Sequence, residues 1–499
     1  FLNWYSAFHC CSPSRAAMMT GRLPGRAGIG YIGAGSNGVF TSESIGGIPL
    51  NETTIAEILS EHGYRTATVG KWHLGQQQKY LPTTRGFDQY FGIPYSCDMG
   101  ISAWAHGKNL VNATACPFAC RPLPLMNGTK GRMVDIVEQP TDLASLTQRY
   151  VDHAIDFMKG AIAADQPFFL YIPWNHVHSP NFASHKFCGS SRRGPVGDAV
   201  QELDDAVGQI LAFLMASGID DNVVSFFTSD NGAPLSNDCV GNGPLRDGKF
   251  STWEGGVREP GAVRWGSGSR LYQPGRVTPE LATTYDIFAT VLSLAKLTSA
   301  MPDDRVIDGR DLSPILFNTD GGNGQGKSLH ECIIIYRSPG DISTPGLMDK
   351  NGVAAVRCGK YKAHYWTKST GPCGAQHHSH NPIPDGNHSA VPVLFNLETD
   401  MGESFPLDNT SAEYAAAMAT INDALMAHLA TVTPVPNQMC SPNQPDVAKL
   451  RCVGGNDLAT SVCKDPQSQR ILPLLPNCTS NPENFNTSLL CPQRRTPLL

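Results

Sequence analysis

Four short clusters in this sequence combine residue types that can do chemistry. Cys11-Ser12-Pro13-Ser14-Arg15 sets a thiol four residues before a guanidinium, and Gly70-Lys71-Trp72-His73 sets an ammonium two residues before an imidazole. Asn175-His176-Val177-His178 offers two imidazoles, and Ser229-Asp230-Asn231-Gly232 offers a carboxylate beside an amide oxygen. Together they supply cations that can hold an anion, groups that can carry a proton, and one sulfur nucleophile. Ser12 as N-cap with Pro13 at the first helical position predicts a short helix that opens just after Cys11. The unpaired N–H groups and positive dipole end of such a helix favour an anion. Arg15, one turn on, adds a rigid fork of donors suited to a tetrahedral oxyanion. A lone cysteine is ordinarily inert, but a thiol in so electropositive a niche is a reactive one.

The elements that must position these clusters are legible from periodicity. Residues 51–62 read as a capped helix with Ile55, Ile58 and Leu59 on one face, stopped by Gly63, and a strand Thr66–Val69 follows. The alternation recurs as a helix over 142–163, a strand Phe168–Pro173, a helix over 197–216 ended by Gly218, and a strand Val223–Thr228. Apolar strands separated by helices predict a doubly wound α/β fold with a mostly parallel sheet covered on both faces. Ligands bind beyond the carboxyl ends of such strands. Three of the four clusters directly follow a predicted strand. Each taken alone has an ordinary reading as a satisfied turn, but three in succession point to one crevice. After residue 330 the texture changes to short β runs (333–336, 353–357, 361–366, 394–397) and one helix near 411–430. The expected organisation is a catalytic domain over 1–330, a smaller α+β domain over 331–435, and a Cys-rich tail over 436–499. The Gly-rich stretch 320–326 reads as the linker.

Composition limits the function classes. Charged residues are 16 % of the chain and the balance is 38 basic against 44 acidic, net −6, without a Lys/Arg block of five. This argues against a nucleic-acid partner or a membrane-surface role. No apolar stretch approaches the 18 or more residues of a membrane span. Fifteen cysteines and seven Asn-x-Ser/Thr sites, at Asn51, Asn112, Asn127, Asn387, Asn409, Asn477 and Asn486, point to a secretory route and a disulfide-bonded glycoprotein. Five of the cysteines crowd into Cys440–Cys491, Cys116 and Cys120 are spaced to close a small loop, and the odd total leaves one thiol over.

Cys-x-Pro-Ser-Arg followed by Thr20-Gly21-Arg22, with Gly63-Tyr64-Arg65-Thr66 leading into Gly70-Lys71-Trp72-His73, resembles the two signatures of the type I sulfatases. Similar segments continue at Gly86-Phe87-Asp88, Thr228–Gly232, Gly248-Lys249, Glu254–Pro260 and Asp308–Leu312. The resemblance runs to about residue 432 and is nearest the arylsulfatase A and N-acetylgalactosamine-6-sulfatase branch. It implies an alkaline-phosphatase-like fold and a sulfuric ester hydrolase acting on aryl sulfates or sulfated sugars. Cys11 would be converted by the formylglycine-generating enzyme to formylglycine, whose hydrated aldehyde is the nucleophile, and removing Cys11 leaves an even fourteen cysteines. Asp230 and Asn231, with residue 11, would bind Ca²⁺ or Mg²⁺ through oxygen. Arg15 would hold the formylglycine. Lys71, His178 and Lys249 would hold sulfate oxygens, His73 would orient a nucleophile hydroxyl, and Lys249 or His178 would protonate the leaving oxygen. Ser96 matches a substrate-side position. The implied setting is lysosomal or secreted, with a homodimer as the oligomer.

The sequence also departs from the family pattern. A pair of aspartates that would complete the metal shell belongs at the end of the family's first strand, yet ten residues precede Cys11 and none is acidic. The expectation is a chain that begins inside a longer one, with that strand missing and weak metal binding as it stands. Asp247 stands where the branch has a cysteine, so the corresponding disulfide is absent or moved to Cys239. Phe40 replaces a tyrosine of the galactosamine-6-sulfatase branch. Two other readings compete: a catalytically inactive sulfatase-like binding protein, supported by the missing aspartates, and a phosphodiesterase or phosphatase of the same superfamily, which would want Ser or Thr at position 11.

Overall fold

The computed structural model describes residues 1–433 except 31, 34–35, 43, 45, 100–122, 236–240, 267–270, 272–274, 318–326, 338–351 and 371–382, together with 435 and 438. The Cys116/Cys120 loop, Cys239, the 320–326 linker and the Cys440–Cys491 tail therefore lie outside the described residues. The chain divides into two compact units, one of residues 1–39, 51–55 and 221–439, the other of residues 40–50, 56–220 and 440–499.

In the second unit a five-stranded sheet runs in the order Asp135–Glu138, Leu125–Thr129, Gln89–Gly92, Arg65–Val69, Phe168–Tyr171. The last three strands are parallel, as the apolar runs separated by helices predict. The first two form an antiparallel hairpin that periodicity does not reveal. Asp135–Glu138 alternates exposed and half-buried residues, the pattern of a strand with one wet face at a sheet edge. Helices Leu143–Ala163 and Gly194–Ala216 pack on each other. Asp142 caps the first by accepting from Ala144 N at 3.0 Å. The apolar face of that helix, Leu143, Leu146 and Tyr150, meets Val69, Phe91 and Phe182 in a buried core. Gly63 and Gly218 end their helices in the left-handed conformation, at φ +86° and +70°.

In the first unit Asn3–Tyr5 pairs in parallel with Leu281–Thr283, and Val224–Thr228 pairs antiparallel with Gly261–Trp265. Trp4 ties the two pairs by donating from Nε1 to Thr228 Oγ1 at 2.8 Å. The later β runs form a four-stranded antiparallel sheet, Cys332–Tyr336, Val353–Cys358, Tyr361–His364, Val393–Asn396. A disulfide joins the paired positions Cys332 and Cys358. Helix Ala412–Leu429, capped by Ser411 accepting from Tyr414 N, packs on this sheet.

Candidate active site

Residue 11 opens a helix. Helix Cys11–Thr20 begins two residues earlier than the Ser12 cap predicts, with Cys10 in extended conformation at the cap position and no side chain capping it. Ser14 and Ser6 are spent differently: both hydroxyls donate to Phe8 O, at 2.7 and 3.0 Å, and fix the turn that enters the helix. Pro13 and Phe8 close on Gly30, where a Cβ would sit 3.1 Å from Pro13 Cγ. Cys11 is buried in the first turn, and Lys249 Nζ stands 3.4 Å from its Sγ. Arg15, one turn along, donates from Nε to Asp230 Oδ2 at 2.7 Å.

Asp230 and Asn231 follow the Val224–Thr228 strand, as predicted, and the turn is held by close backbone packing. A Cβ at Gly232 would lie 1.8 Å from Gly255 O, so only glycine lets the Ser229–Gly232 turn rest on the Glu254–Val257 helix. Ser229 donates from Oγ to Asn231 O at 2.9 Å. Asn231 Nδ2 donates to Gly232 O at 3.0 Å, whereas its buried Oδ1 has no partner among the described residues. Glu259 Oε1 is buried without a partner in the same way; burial and the charge of Asp230 push its carboxyl well above the usual range.

The second unit positions the other cations. Lys71, Trp72 and His73 leave the Arg65–Val69 strand by donating their N–H groups in turn to Pro173 O, Ile93 O and Pro94 O. Gly70 permits this crowding at φ +137°, since a Cβ there would lie 2.1 Å from Pro173 O. His73 adopts φ +61°, uncommon for a residue with a side chain. Its Nε2 lies 2.7 Å from Phe40 O, an acceptor only, so Nε2 carries the proton. Lys71 Nζ donates to Ser96 Oγ at 3.1 Å, and Ser96 Oγ lies 3.4 Å from His178 Nε2. His178 Nδ1 donates to Ser179 O at 2.6 Å, which leaves Nε2 as the acceptor for Ser96 in the neutral ring. Asp98 Oδ1 stands 4.0 Å from Nδ1.

The structure thus gathers Cys11, Arg15, Asp230, Asn231 and Lys249 in one unit and Lys71, His73, Ser96 and His178 in the other. It also separates the histidine pair. His176 is buried at 2.8 Å from Glu202, whose carboxylate also accepts from Ser184 N, so this ring is a fixed structural contact. Glu259 and the Phe40 carbonyl escaped the sequence reading: Glu259 sits in a recognised segment but carries no signal of where its oxygens point, and a backbone acceptor leaves no mark in a sequence.

Comparison with known proteins decides the family. A sulfatase family model matches residues 1–297, and a model of the C-terminal region of aryl-sulfatase matches residues 328–463. The chain belongs to the sulfatase family. It is 38% identical over 465 residues to the N-acetylgalactosamine-6-sulfatase of Homo sapiens, covering 88% of this chain and 80% of that protein. It is 36% identical over 492 residues to the arylsulfatase A of Bos taurus, covering 94% and 88%. Among solved structures it resembles the PsFucS1 sulfatase from Pseudoalteromonas sp., with a TM-score of 0.70, 27% identity, and 86% and 82% of the two chains covered. The doubly wound α/β fold expected from the sequence, and sulfuric ester hydrolysis, follow for this sulfatase; the phosphatase reading and the inactive binding protein are not favoured.

Family membership implies formylglycine and a divalent cation, and the residues fit the cation in part. The partnerless Oδ1 of buried Asn231 and the Asp230 carboxylate are hard oxygen donors of the right kind. Among the described residues no group of three or more His, Cys, Asp or Glu is placed to hold a metal, so these two donors fall short of the six or so that such a cation takes. No helix among them is long and apolar enough to cross a membrane.

Proposed function

We propose that this sulfatase releases sulfate from a sulfated sugar, with the residue made from Cys11 as nucleophile and Lys249 beside it as a proton carrier. The observation that carries the reading is the pairing of Cys11 Sγ and Lys249 Nζ at 3.4 Å in the first turn of a helix. Formylglycine at that position supplies a geminal diol, one hydroxyl of which attacks sulfur while the other later lets sulfate leave. Arg15 holds residue 11 and is itself oriented by Asp230. Lys249, Lys71 and His178 bind sulfate oxygens, and the developing charge on the leaving oxygen takes a proton from Lys249 or His178. Lys71 reaches His178 through Ser96, whose hydroxyl meets the Nε2 lone pair that the Nδ1 bond to Ser179 O leaves presented. His73, with its proton fixed on Nε2 by Phe40 O, orients a nucleophile hydroxyl.

Asp230 and Asn231 would hold Ca²⁺ as hard oxygen donors, and its charge would be felt by residue 11 through Arg15's neighbour. The relatives named for N-acetylgalactosamine-6-sulfate support a sulfated sugar as substrate, with Phe40 and Ser96 shaping the leaving-group side. The Cys332–Cys358 disulfide and the seven Asn-x-Ser/Thr sites support maturation in the secretory pathway, where the formylglycine-generating enzyme acts, and a lysosomal or secreted destination. We read residues 1–330 as the catalytic domain, 331–435 as the smaller domain and 436–499 as a disulfide-stapled tail, and the enzyme as a homodimer.

The test is mass spectrometry of the Cys11 peptide from protein made in secretory cells, alongside assays of galactosamine-6-sulfate oligosaccharide and sulfated galactolipid. Formylglycine at position 11 and preference for the oligosaccharide are expected, with His178→Ala lowering turnover about 10²–10⁴-fold. An unmodified thiol in every molecule, or preference for the lipid, refutes the corresponding part.

A further inference from the structure

The loop that carries Lys249 is held in a conformation its own residues disfavour. Asp247 and Phe250 flank Gly248 and Lys249 at φ +57° and +73°, in the left-handed region that residues with side chains avoid. Such backbone persists only where its surroundings over-determine it. Local contacts are part of the answer: Lys249 N donates to Ala233 O at 3.0 Å, Phe250 N to His9 O at 2.9 Å, and Asn242 Nδ2 to Asp247 O at 2.8 Å.

The two ends of the loop converge on one distant residue. Arg246, at the start, donates from Nη1 to Glu403 O at 2.8 Å, and Glu254, at the end, donates from its backbone N to Glu403 Oε2 at 2.6 Å. The ends also meet each other, through Gly255 N on Arg246 O at 2.8 Å and the Arg246 guanidinium 3.8 Å above the Trp253 ring. Glu403 is in turn fixed by Lys362 Nζ at 3.1 Å and His364 Nε2 at 2.6 Å, and Lys362 reaches across to Glu254 Oε1 at 2.9 Å. Glu254, Lys362, His364 and Glu403 are all fully buried.

A buried ionic cluster of this kind is poor value as a source of stability, because removing the charges from water offsets most of their attraction; apolar residues of the same volume serve as well. What charged groups give and apolar ones do not is fixed direction. Here that direction is spent on the loop bearing Lys249. We infer that Glu403 is a positioning residue for Lys249: by holding Arg246 with its carbonyl and Glu254 with its carboxylate, it sets the loop so that Nζ meets residue 11. This rests on the reading of Lys249 as proton carrier to the leaving oxygen.

The experiment measures kcat and KM of the mature, full-chain enzyme on aryl sulfates of graded leaving-group acidity. A proton carrier matters most when the leaving group is poor, so Lys249→Ala steepens the dependence of kcat on leaving-group acidity, with a loss of about 10²–10⁴-fold for the least acidic phenols. Glu403→Gln keeps volume and the acceptor for Glu254 N but puts an amide nitrogen where Oε1 meets Lys362 and His364, so the residue that carries both loop ends loses its anchors. It is expected to steepen the same dependence with a loss of up to about 10²-fold, the usual cost of a small misplacement, and little change in KM. The double variant is expected to be no slower than Lys249→Ala alone. Arg246→Lys, which keeps the positive charge and leaves the Lys362 cluster intact, repeats the measurement should Glu403→Gln not fold. A loss equal for all leaving groups, or one that multiplies with that of Lys249→Ala, makes Glu403 merely structural and overturns the inference. An unchanged leaving-group dependence in Lys249→Ala removes Lys249 from the chemistry, and this positioning role with it.

Discussion

Replacing Lys362 by methionine isolates what the buried cluster does for stability. The ammonium lies 2.9 Å from Glu254 Oε1 and 3.1 Å from Glu403 Oε1, and all three side chains are fully enclosed. Burial raises the Glu254 carboxyl, and its neighbour Glu403 raises it further. Burial would raise Glu403 too, but Lys362, His364 and the Glu254 N–H outweigh it and hold that carboxylate low. Removing one partner of a buried ion pair costs about 3–5 kcal/mol. The lower end applies here: Glu254 keeps Tyr5 OH at 2.6 Å and Arg258 at 3.3 Å, and Glu403 keeps His364. A loss of about 3 kcal/mol lowers the melting midpoint by roughly 6–12 °C for a unit of this size. Adding Glu403→Gln to Lys362→Met removes one charge of each sign, so at least half of the loss is expected to return despite two substitutions. Differential scanning fluorimetry at pH 7 and a fixed scan rate, on the wild type, both single variants and the double, measures this. A Lys362→Met midpoint within a degree of the wild type, or a double variant less stable than the sum of the singles, refutes the reasoning.

The remaining predictions concern the metal and acid pH. Chelation is expected to abolish aryl sulfate hydrolysis and added Ca²⁺ to restore it, with Asn231→Ala shifting the Ca²⁺ titration about tenfold upward, the effect of ~1.4 kcal/mol from one lost oxygen ligand; full activity after chelation contradicts the Asp230/Asn231 assignment. Burial and the charge of Arg26 lower the His428 pKa to about 4, because Arg26 Nη2 donates to its Nδ1 and Nε2 is engaged by Tyr336 OH. The folded ring stays neutral where the unfolded ring, near 6.5, already binds a proton, so stability is lost as pH falls from about 6.5 to 4, by up to about 3 kcal/mol. The midpoint advantage of wild type over His428→Gln is therefore expected to shrink between pH 7 and 4.5, and a gap independent of pH refutes it.

What the sequence determined is local. The helices over 142–163 and near 411–430, the glycine stops at 63 and 218, and the apolar strands at 65–69, 168–171 and 224–228 depend on neighbours a few residues away, so they could be read one after another. The same holds for the clusters that leave those strands, since a polar turn after an apolar strand advertises itself. The entry of helix Cys11–Thr20 lies two residues before the Ser12 and Pro13 signal, at a Cys10 cap position that no side chain caps, so residue type gives no mark of it.

Tertiary structure alone decided whatever rests on direction or on distant pairing. His176 and His178 are equivalent on paper, yet the first is committed to Glu202, 26 residues on, and only the second meets Ser96. The pairing of Asn3–Tyr5 with Leu281–Thr283, the hairpin that extends the parallel strands, and the Cys332–Cys358 bond each join segments by contacts that no local pattern encodes. The clearest case is the loop bearing Lys249. Its sequence names the lysine, but its left-handed backbone is met by bonds to Ala233, His9 and Asn242 and, at the loop's two ends, by Glu403, itself held by Lys362 and His364 more than a hundred residues from the lysine. Residue types and short-range spacing specify which chemistry is available; where each group points is set by long-range packing that exists only once the chain has folded.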